Sequence, residues 1–304
     1  MTVNIIGTGA VGQALAVSLA HQGRKTRLIR ATVQGVRESP YRYSIYRDGK
    51  EIASASIPTC SLDTLERLEG VVAIATKSYG NALLAEKLAA KESDIPIIIL
   101  QNGLNVETPF VELGFSQLYR CVLFMTSQME GSRGVSFKPV SASRVGTIHA
   151  KSDNLAHVVA ALDSPLFSFE KDLNIRSTIW QKVILNSVFN SICPLLGIDN
   201  GIFYRDPKVL AIAKTLIEEC MQVAALDGII LDREGIIQKA LQISQTSDGQ
   251  LISTLQDLHA GRPTEIQSLN LEIARIAQQH GREGLCPQTR LLGEMILAKS
   301  ALST

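Results

Sequence analysis

The sequence predicts an α/β chain in two parts, a parallel-sheet domain over residues 1–170 and an all-α domain over residues 171–304. Three observations carry this expectation. The chain opens with a short apolar strand that runs through three glycines straight into a helical pattern. Further apolar strands follow, and each stops at a polar turn. From about residue 172 helical periodicity takes over, with breaks at Asp206-Pro207, Asp227-Gly228 and Gly261. A length of 304 residues also exceeds what a single core usually supports, which favours two domains independently.

Composition narrows the function classes. The 30 basic and 29 acidic residues are scattered rather than blocked and leave a net charge of +1, so there is no electrostatic footprint for nucleic acid or an anionic membrane. Cys60, Cys121, Cys193, Cys220 and Cys286 are odd in number and widely spaced, which suggests buried free thiols in a reducing compartment and neither a disulfide framework nor a zinc site. No apolar run reaches the length of a membrane span, and the first residues read as a strand without a signal peptide. A soluble, cytoplasmic protein is expected.

Val3 to Ile6 is apolar, and Gly7, Gly9 and Gly12 follow at once in the run GTGAVG, before the helical pattern Ala14 to His21. Strand, glycine turn and helix in that order are the signature of a Rossmann-type dinucleotide-binding unit. The first glycine makes the tight turn, the second lets a pyrophosphate reach the backbone, and the third lets the helix pack close to the strand. The amides that open the helix then face the phosphates. Glycines also make ordinary turns; it is the place between a strand and a helix at the start of the chain that favours the dinucleotide.

Lys25 to Ile29 reads as the second strand, and the residue that ends it bears on the cofactor. An acid there would bond the ribose hydroxyls of NAD, whereas a 2′-phosphate requires a cation. Arg30 stands at that place and no carboxylate follows until Glu38, which favours NADP(H). An arginine simply solvated at a strand end is the alternative.

Arg42 to Ser56 alternates about Asp48-Gly49 and predicts a hairpin inserted between the parallel units. Val71 to Ala75 is a buried-strand pattern that stops at Thr76, Lys77 and Ser78, and Ile95 to Leu100 is another that stops at Gln101, Asn102 and Gly103. Ligands of open parallel sheets bind beyond the carboxyl ends of strands, so Lys77 is placed to meet cofactor or substrate and Asn102 to meet the nicotinamide side. Leu118 to Thr126 and Gly134 to His149 read as strands separated by a Gly/Ser turn, the second broken at Lys138-Pro139, and Ser152 to Leu162 as a helix.

The all-α part holds the chemistry-bearing side chains. In Trp180 to Ile192 (WQKVILNSVFNSI), Lys182, Asn186 and Asn190 project within one narrow arc of a helix, while Ile184, Leu185, Val188, Phe189 and Ile192 cover the rest. A lysine and two asparagines on a helix so largely apolar need partners or a ligand. A solvated polar face is the competing account. A second polar cluster, Ser253, Asp257 and Glu265, precedes and follows Arg262-Pro263, where a new helix is expected to start with Thr264 and Glu265 in its first turn. Glu265 could there be no more than a helix-start acid favoured by the dipole. His259 and His280 have no ligand spacing, and no metal site or nucleophilic triad is read.

GTGAVG, Lys77, Gln101-Asn102-Gly103, WQKVILNSVFNSI and the segment from Ser253 to Glu265 in GRPTEI occur in an order and spacing that resembles the 2-dehydropantoate 2-reductase (ketopantoate reductase) family. The resemblance reaches across most of the chain. One departure is Leu271 after Asn270, where the resemblance leads one to expect glycine. It implies a Rossmann domain followed by an α-helical one, and NADPH-dependent reduction of the 2-oxo group of ketopantoate to pantoate. It assigns Lys182 as general acid, with Glu265 accepting from the substrate hydroxyl and orienting Lys182. Asn186 and Asn190 would bond the substrate's oxygens, Ser253 its carboxylate, and Asn102 both cofactor and substrate. Gly7, Thr8, Gly9, Ala10, Val11, Gly12, Arg30 and Lys77 would hold the cofactor, Arg30 at the 2′-phosphate and Lys77 near the ribose. The implied partner is a small 2-oxo acid, and a homodimer is compatible with it. A reductase of another 2-oxo acid, or an NADPH-binding regulator without turnover, are the rival readings.

Overall fold

A computed structural model describes residues 1–91, 95–150 and 154–303. They form two compact units: Met1–Gln101 with Val106–Ile175, and Asn102–Asn105 with Arg176–Thr304.

In the first unit β1 (Val3–Ile6), α1 (Ala10–Ala20) and β2 (Thr26–Arg30) make the opening βαβ element, and β3 (Ser39–Arg47) and β4 (Lys50–Ser61) the hairpin. Asp48 and Gly49 at its tip both have positive φ, 50° and 74°, the backbone that a tight two-residue turn requires. Next come β5 (Val71–Ile74), α2 (Asn81–Ala89), β6 (Ile97–Ile99), α3 (Thr108–Glu112), β7 (Gln117–Val122), β8 (Met125–Glu130), β9 (Gly134–Pro139), β10 (Ser143–Ala150), α4 (Leu155–Leu162) and β11 (Phe169–Lys171). Among the described residues these strands form one sheet of order β11-β10-β7-β6-β5-β1-β2-β4-β3-β9-β8.

The β7-β6-β5-β1-β2-β4 stretch is parallel. Its inner strands VNII, VVAI and III are buried at every position, the continuous apolar pattern of strands covered on both faces. The chain runs from β1 to β2 on one side and returns to β5 on the other, which makes β1 the switch point where a crevice opens beyond the strand ends. The glycine turn lies there.

Every residue of α1 from Gly12 to Leu19 is buried. The helix is buried all round because apolar neighbours surround it: Leu15, Val17 and Leu19 share a core with Tyr43, Ile45 and Ile57 of the hairpin, Val135 and Phe137 of β9, and Phe167. Full burial of a Leu or Val contributes roughly 1.5–3 kcal/mol, so this one helix anchors both the parallel and the antiparallel parts of the sheet.

The second unit is helical: α5 (Ile175–Leu196), α6 (Ile202–Arg205), α7 (Pro207–Leu226), α8 (Arg233–Thr246), α9 (Ser253–His259), α10 (Asn270–Gln279) and α11 (Pro287–Ser303). Its predicted breaks act as caps. Asp206 accepts from the amides of Lys208 (2.7 Å) and Val209 (3.2 Å), with Pro207 starting α7, and Gly228 leaves that helix with φ +74°. Glu219, buried within α7, accepts from the amides of Gln288 and Thr289 and from the Thr289 hydroxyl, capping α11 from a distance.

Three local expectations are corrected, and one strand was missed. α1 begins at Ala10, not Ala14, so that Gly12 lies inside the helix. Leu118 to Thr126 is two strands, because the chain breaks at Leu123-Phe124 and β8 pairs with β9 at the far edge of the sheet. Strand β11, only three residues long, escaped the sequence pattern. No helix starts at Pro263: a single 3₁₀ turn spans Ile266–Ser268 and α10 starts at Asn270. The expected start of a helix at Ser152 lies outside the described residues. Among the described residues no helix is long and apolar enough to cross a membrane.

Candidate active site

In the first unit the glycine turn is shaped by what its residues lack. Gly7 has φ +122°, and a Cβ there would lie 2.8–2.9 Å from the backbone of Ala75 and Thr76 at the end of β5. A Cβ on Gly12 would lie 2.0 Å from the Gly7 carbonyl oxygen. Both positions exclude a side chain because backbone packs against backbone. At Gly9 nothing lies within 4 Å of the Cβ position, so the space beside the backbone is open.

Helix α1 starts at that open space. Its N-cap is Gly9, no side chain caps it, and its first turn carries no acid. The first intrahelical bond runs from Gln13 to the Gly9 carbonyl, leaving the amides of Ala10, Val11 and Gly12 ahead of it. This is a ready anion site. Gln13, which sequence reasoning passed over, secures the turn: its buried Nε2 donates to the carbonyls of Thr8 (2.9 Å) and Ser132 (3.0 Å). A glutamine in an otherwise apolar helix was the available signal.

Arg30 ends β2 with a buried Nε that has no hydrogen-bond partner among the described residues. Glu38, the next carboxylate along the chain, is paired with Arg27 instead. The loop after Arg30 is pinned: Lys87 Nζ donates to the Ala31 carbonyl (3.1 Å), Asp63 accepts from the Gly35 amide (2.9 Å), and Ser61 Oγ accepts from the Val36 amide (2.9 Å). Hydrogen bonds from Ser61 and Gly35 hold the Asp63 carboxyl below the ordinary carboxylate range. Lys77 follows Thr76 at the end of β5, half-buried with extended backbone. Gln101 is taken up by structure, exchanging amide bonds of 2.7 and 2.8 Å with Asn81.

The residues present thus fit a phosphorylated dinucleotide: an open cradle, uncapped helix amides, and a buried arginine nitrogen without a partner.

In the second unit Lys182, Asn186 and Asn190 lie along α5, the first two half-buried and Asn190 buried. Ile184, Leu185, Val188, Phe189 and Ile192 are all buried. Asn190 Oδ1 accepts from Ser253 Oγ and from the Thr254 amide, both at 3.2 Å, which ties α5 to the start of α9. Its Nδ2 donates to no described residue.

From α9 the chain is held by Asp257, which accepts from Arg262 Nε (2.9 Å) while its carbonyl takes the Arg262 amide (2.9 Å). Glu265 follows, half-buried, its carbonyl accepting from the amide and hydroxyl of Ser268, each at 3.0 Å. Ser268 in turn meets the segment of residues 102–105. A Cβ on Gly103 would lie 2.5 Å from Ser268 Cβ, and the Leu104 amide donates to the Ser268 carbonyl (2.9 Å). Bonds and close contacts therefore link Asn190 to Ser253 and Thr254, and residues 103–104 to the turn from Glu265 to Ser268. Ser268 was not read from the sequence, nor were Asn105 and Glu272, whose side chains bond at 2.7 Å.

Cysteine chemistry is disfavoured. All five thiols are free and buried, and burial pushes Cys193 and Cys220 up to about 12 and Cys286 up to about 11. Among the described residues no three His, Cys, Asp or Glu side chains gather as a metal site.

The chain matches the family described as Ketopantoate reductase PanE/ApbA over residues 3–148, and Ketopantoate reductase PanE/ApbA C terminal over residues 174–300. It belongs to the ketopantoate reductase family. A 2-dehydropantoate 2-reductase of Pyrococcus abyssi (strain GE5 / Orsay) is 25% identical, with 99% of each chain covered. The fold is shared with a dimeric ketopantoate reductase from Staphylococcus aureus (TM-score 0.83, 20% identity, all of both chains). It is also shared with a D-mandelate dehydrogenase solved with NADH and anilino(oxo)acetate (TM-score 0.86, 21% identity, 100% of this chain and 99% of that one). The departure at Leu271 has a local counterpart: a Cβ on Gly293 of α11 would lie 2.8 Å from Leu271 Cδ2 and 2.9 Å from Asn270 Cβ. The leucine fits against a helix that offers no side chain there.

Proposed function

We propose that the protein reduces the 2-oxo group of ketopantoate (2-dehydropantoate) to pantoate with NADPH, a cytoplasmic step of pantothenate and coenzyme A biosynthesis. The observation that carries this reading is membership of the ketopantoate reductase family through both parts of the chain; the sequence of the second part carries Lys182, Asn186, Asn190, Ser253 and Glu265.

When bound, NADPH supplies the hydride. Gly7, Thr8, Gly9, Ala10, Val11 and Gly12 would cradle its pyrophosphate, Arg30 would meet the 2′-phosphate, and Lys77 the ribose. What remains for the helical unit is the negative charge that reduction places on the keto oxygen. The Lys182 ammonium stabilises that charge and gives the oxygen its proton. Glu265 accepts from the substrate's hydroxyl and orients Lys182. Asn186 and the Asn190 amide bind the substrate's oxygens, Ser253 its carboxylate, and Asn102 contacts both ligands. A homodimer is the proposed assembly.

A different 2-oxo acid handled by the same groups is the second reading, favoured by the shared fold of the D-mandelate dehydrogenase. The test is NADPH oxidation with ketopantoate beside pyruvate, 2-oxoisovalerate and 2-oxobutyrate, repeated with NADH. Clear preference for ketopantoate and NADPH is the expected result. Preference for another acid moves the assignment to the second reading, and NADPH binding without turnover of any acid points to a regulator.

A further inference from the structure

Asn105 is one of two non-glycine residues with positive φ among those described, at +53°. The left-handed backbone is disfavoured for a residue with a side chain, so something must hold it. Its Nδ2 donates to Glu272 Oε1 at 2.7 Å. Glu272 sits in the first turn of α10 and is itself fixed by Arg275, whose Nε reaches Oε2 (2.7 Å) and whose second guanidinium nitrogen reaches Oε1 (2.5 Å). On the other side of Leu104, Gly103 lies flat against Ser268 with φ +107°, and the Leu104 amide donates to the Ser268 carbonyl. Ser268 bonds back to Glu265 twice.

We infer that Asn105, Glu272 and Arg275 are positioning residues that lock residues 102–105 onto the Glu265–Glu272 segment and so present the Asn102 amide already oriented. The inference rests on the reading that Asn102 contacts the ligands. None of the three touches substrate or cofactor in this account. They remove the freedom of a loop that would otherwise have to be ordered when the ligands bind. Asn105 suits the position for two reasons: asparagine tolerates the left-handed backbone better than other side chains, and its amide is the only donor it offers to Glu272.

The test is a double-mutant cycle of Asn102→Ala and Asn105→Gly, the glycine keeping the backbone conformation while deleting the bond. The readouts are kcat/KM for the keto acid and hydrogen exchange of the Leu104 amide in the ligand-free protein. Positioning predicts that Asn105→Gly lowers kcat/KM about tenfold, since small misplacements of a reacting group are costly. It predicts faster Leu104 exchange, and a further loss below about twofold once Asn102 is already alanine. Equal losses in both backgrounds would mean a general structural role and overturn the proposal, as would unchanged kcat/KM or unchanged exchange in Asn105→Gly. A silent Asn102→Ala removes the reading underneath, and the proposal with it. Should Asn105→Gly fold poorly, Glu272→Gln in the same cycle keeps one acceptor oxygen but loses the Oε2 bond and the charge pairing with Arg275, and predicts the same pattern at smaller size.

Discussion

At the end of β1 the chain opens a space by leaving side chains out, whereas along α5 it places polar side chains on a largely buried helix. Gly7 and Gly12 bring backbone within contact of backbone, and Gly9 leaves a space. Lys182, Asn186 and Asn190 stand among Ile184, Val188 and Ile192, and Asn190 is already bonded to Ser253 and Thr254. The first kind of site depends on three or four neighbouring residues. The second depends on segments scattered from residue 102 to residue 272, so its parts must be held in register by packing and hydrogen bonds.

This difference can be broken at its sharpest point by adding one methyl group. Gly12→Ala puts a carbon 2.0 Å from the Gly7 oxygen, and such overpacking is expected to cost about 1–3 kcal/mol of stability and to abolish NADPH binding by displacing α1. Gly9→Ala meets nothing in the protein, so its melting curve should stay within about 0.5 kcal/mol of the parent while NADPH affinity falls. Thermal melts and NADPH fluorescence titrations of the two variants separate the roles. Equal behaviour would mean that the open space at Gly9 is not a ligand cradle.

Arg30 sharpens the same side of the comparison, because it is the side chain proposed to choose between the two nucleotides. Losing a charge-assisted bond costs roughly 1.5–3 kcal/mol. Arg30→Gln should therefore weaken NADPH binding while leaving NADH binding nearly unchanged, which parallel titrations will read. Equal weakening of both would return Arg30 to the status of a strand-end cation.

The helical unit has a backbone-to-side-chain approach of its own, at Gly293 and Leu271. Gly293→Ala should lower stability by about 1–3 kcal/mol, and Leu271→Ala in the same chain should restore part of that. The rescue stays partial because Asn270 Cβ is also close, 2.9 Å from the added carbon. No rescue would show that Leu271 does not set the packing of α10 on α11.

How much of this could be read beforehand follows from the same contrast. GTGAVG was legible because the conformations it needs are nearly exclusive to glycine and adjacent in sequence. The place of Arg30 at the end of a strand was legible too. Asp206-Pro207 and Gly228 marked helix ends for reasons local to each. Along α5 the periodicity gave the polar arc, but not that the Asn190 oxygen is shared with Ser253 and Thr254, since no local rule links residues more than sixty positions apart. The roles assigned in the helical unit came from family resemblance. Asn105 and Glu272 were missed because their meaning lies in one long-range bond. Leu118 to Thr126 misled because its two halves are both strands, and only pairing partners distant in sequence part them. The helix expected from Pro263 failed because the Asp257–Arg262 pair holds that segment in an irregular path.

The central claim is a division of labour, in which the first unit holds the cofactor and Lys182 of the second performs the proton chemistry. Lys182→Ala measured for both turnover and NADPH affinity tests it most directly. The account predicts a fall in kcat of roughly 10²–10⁴-fold with the NADPH dissociation constant and melting temperature unchanged. Retained turnover, or loss of cofactor binding and folding together with turnover, would contradict it.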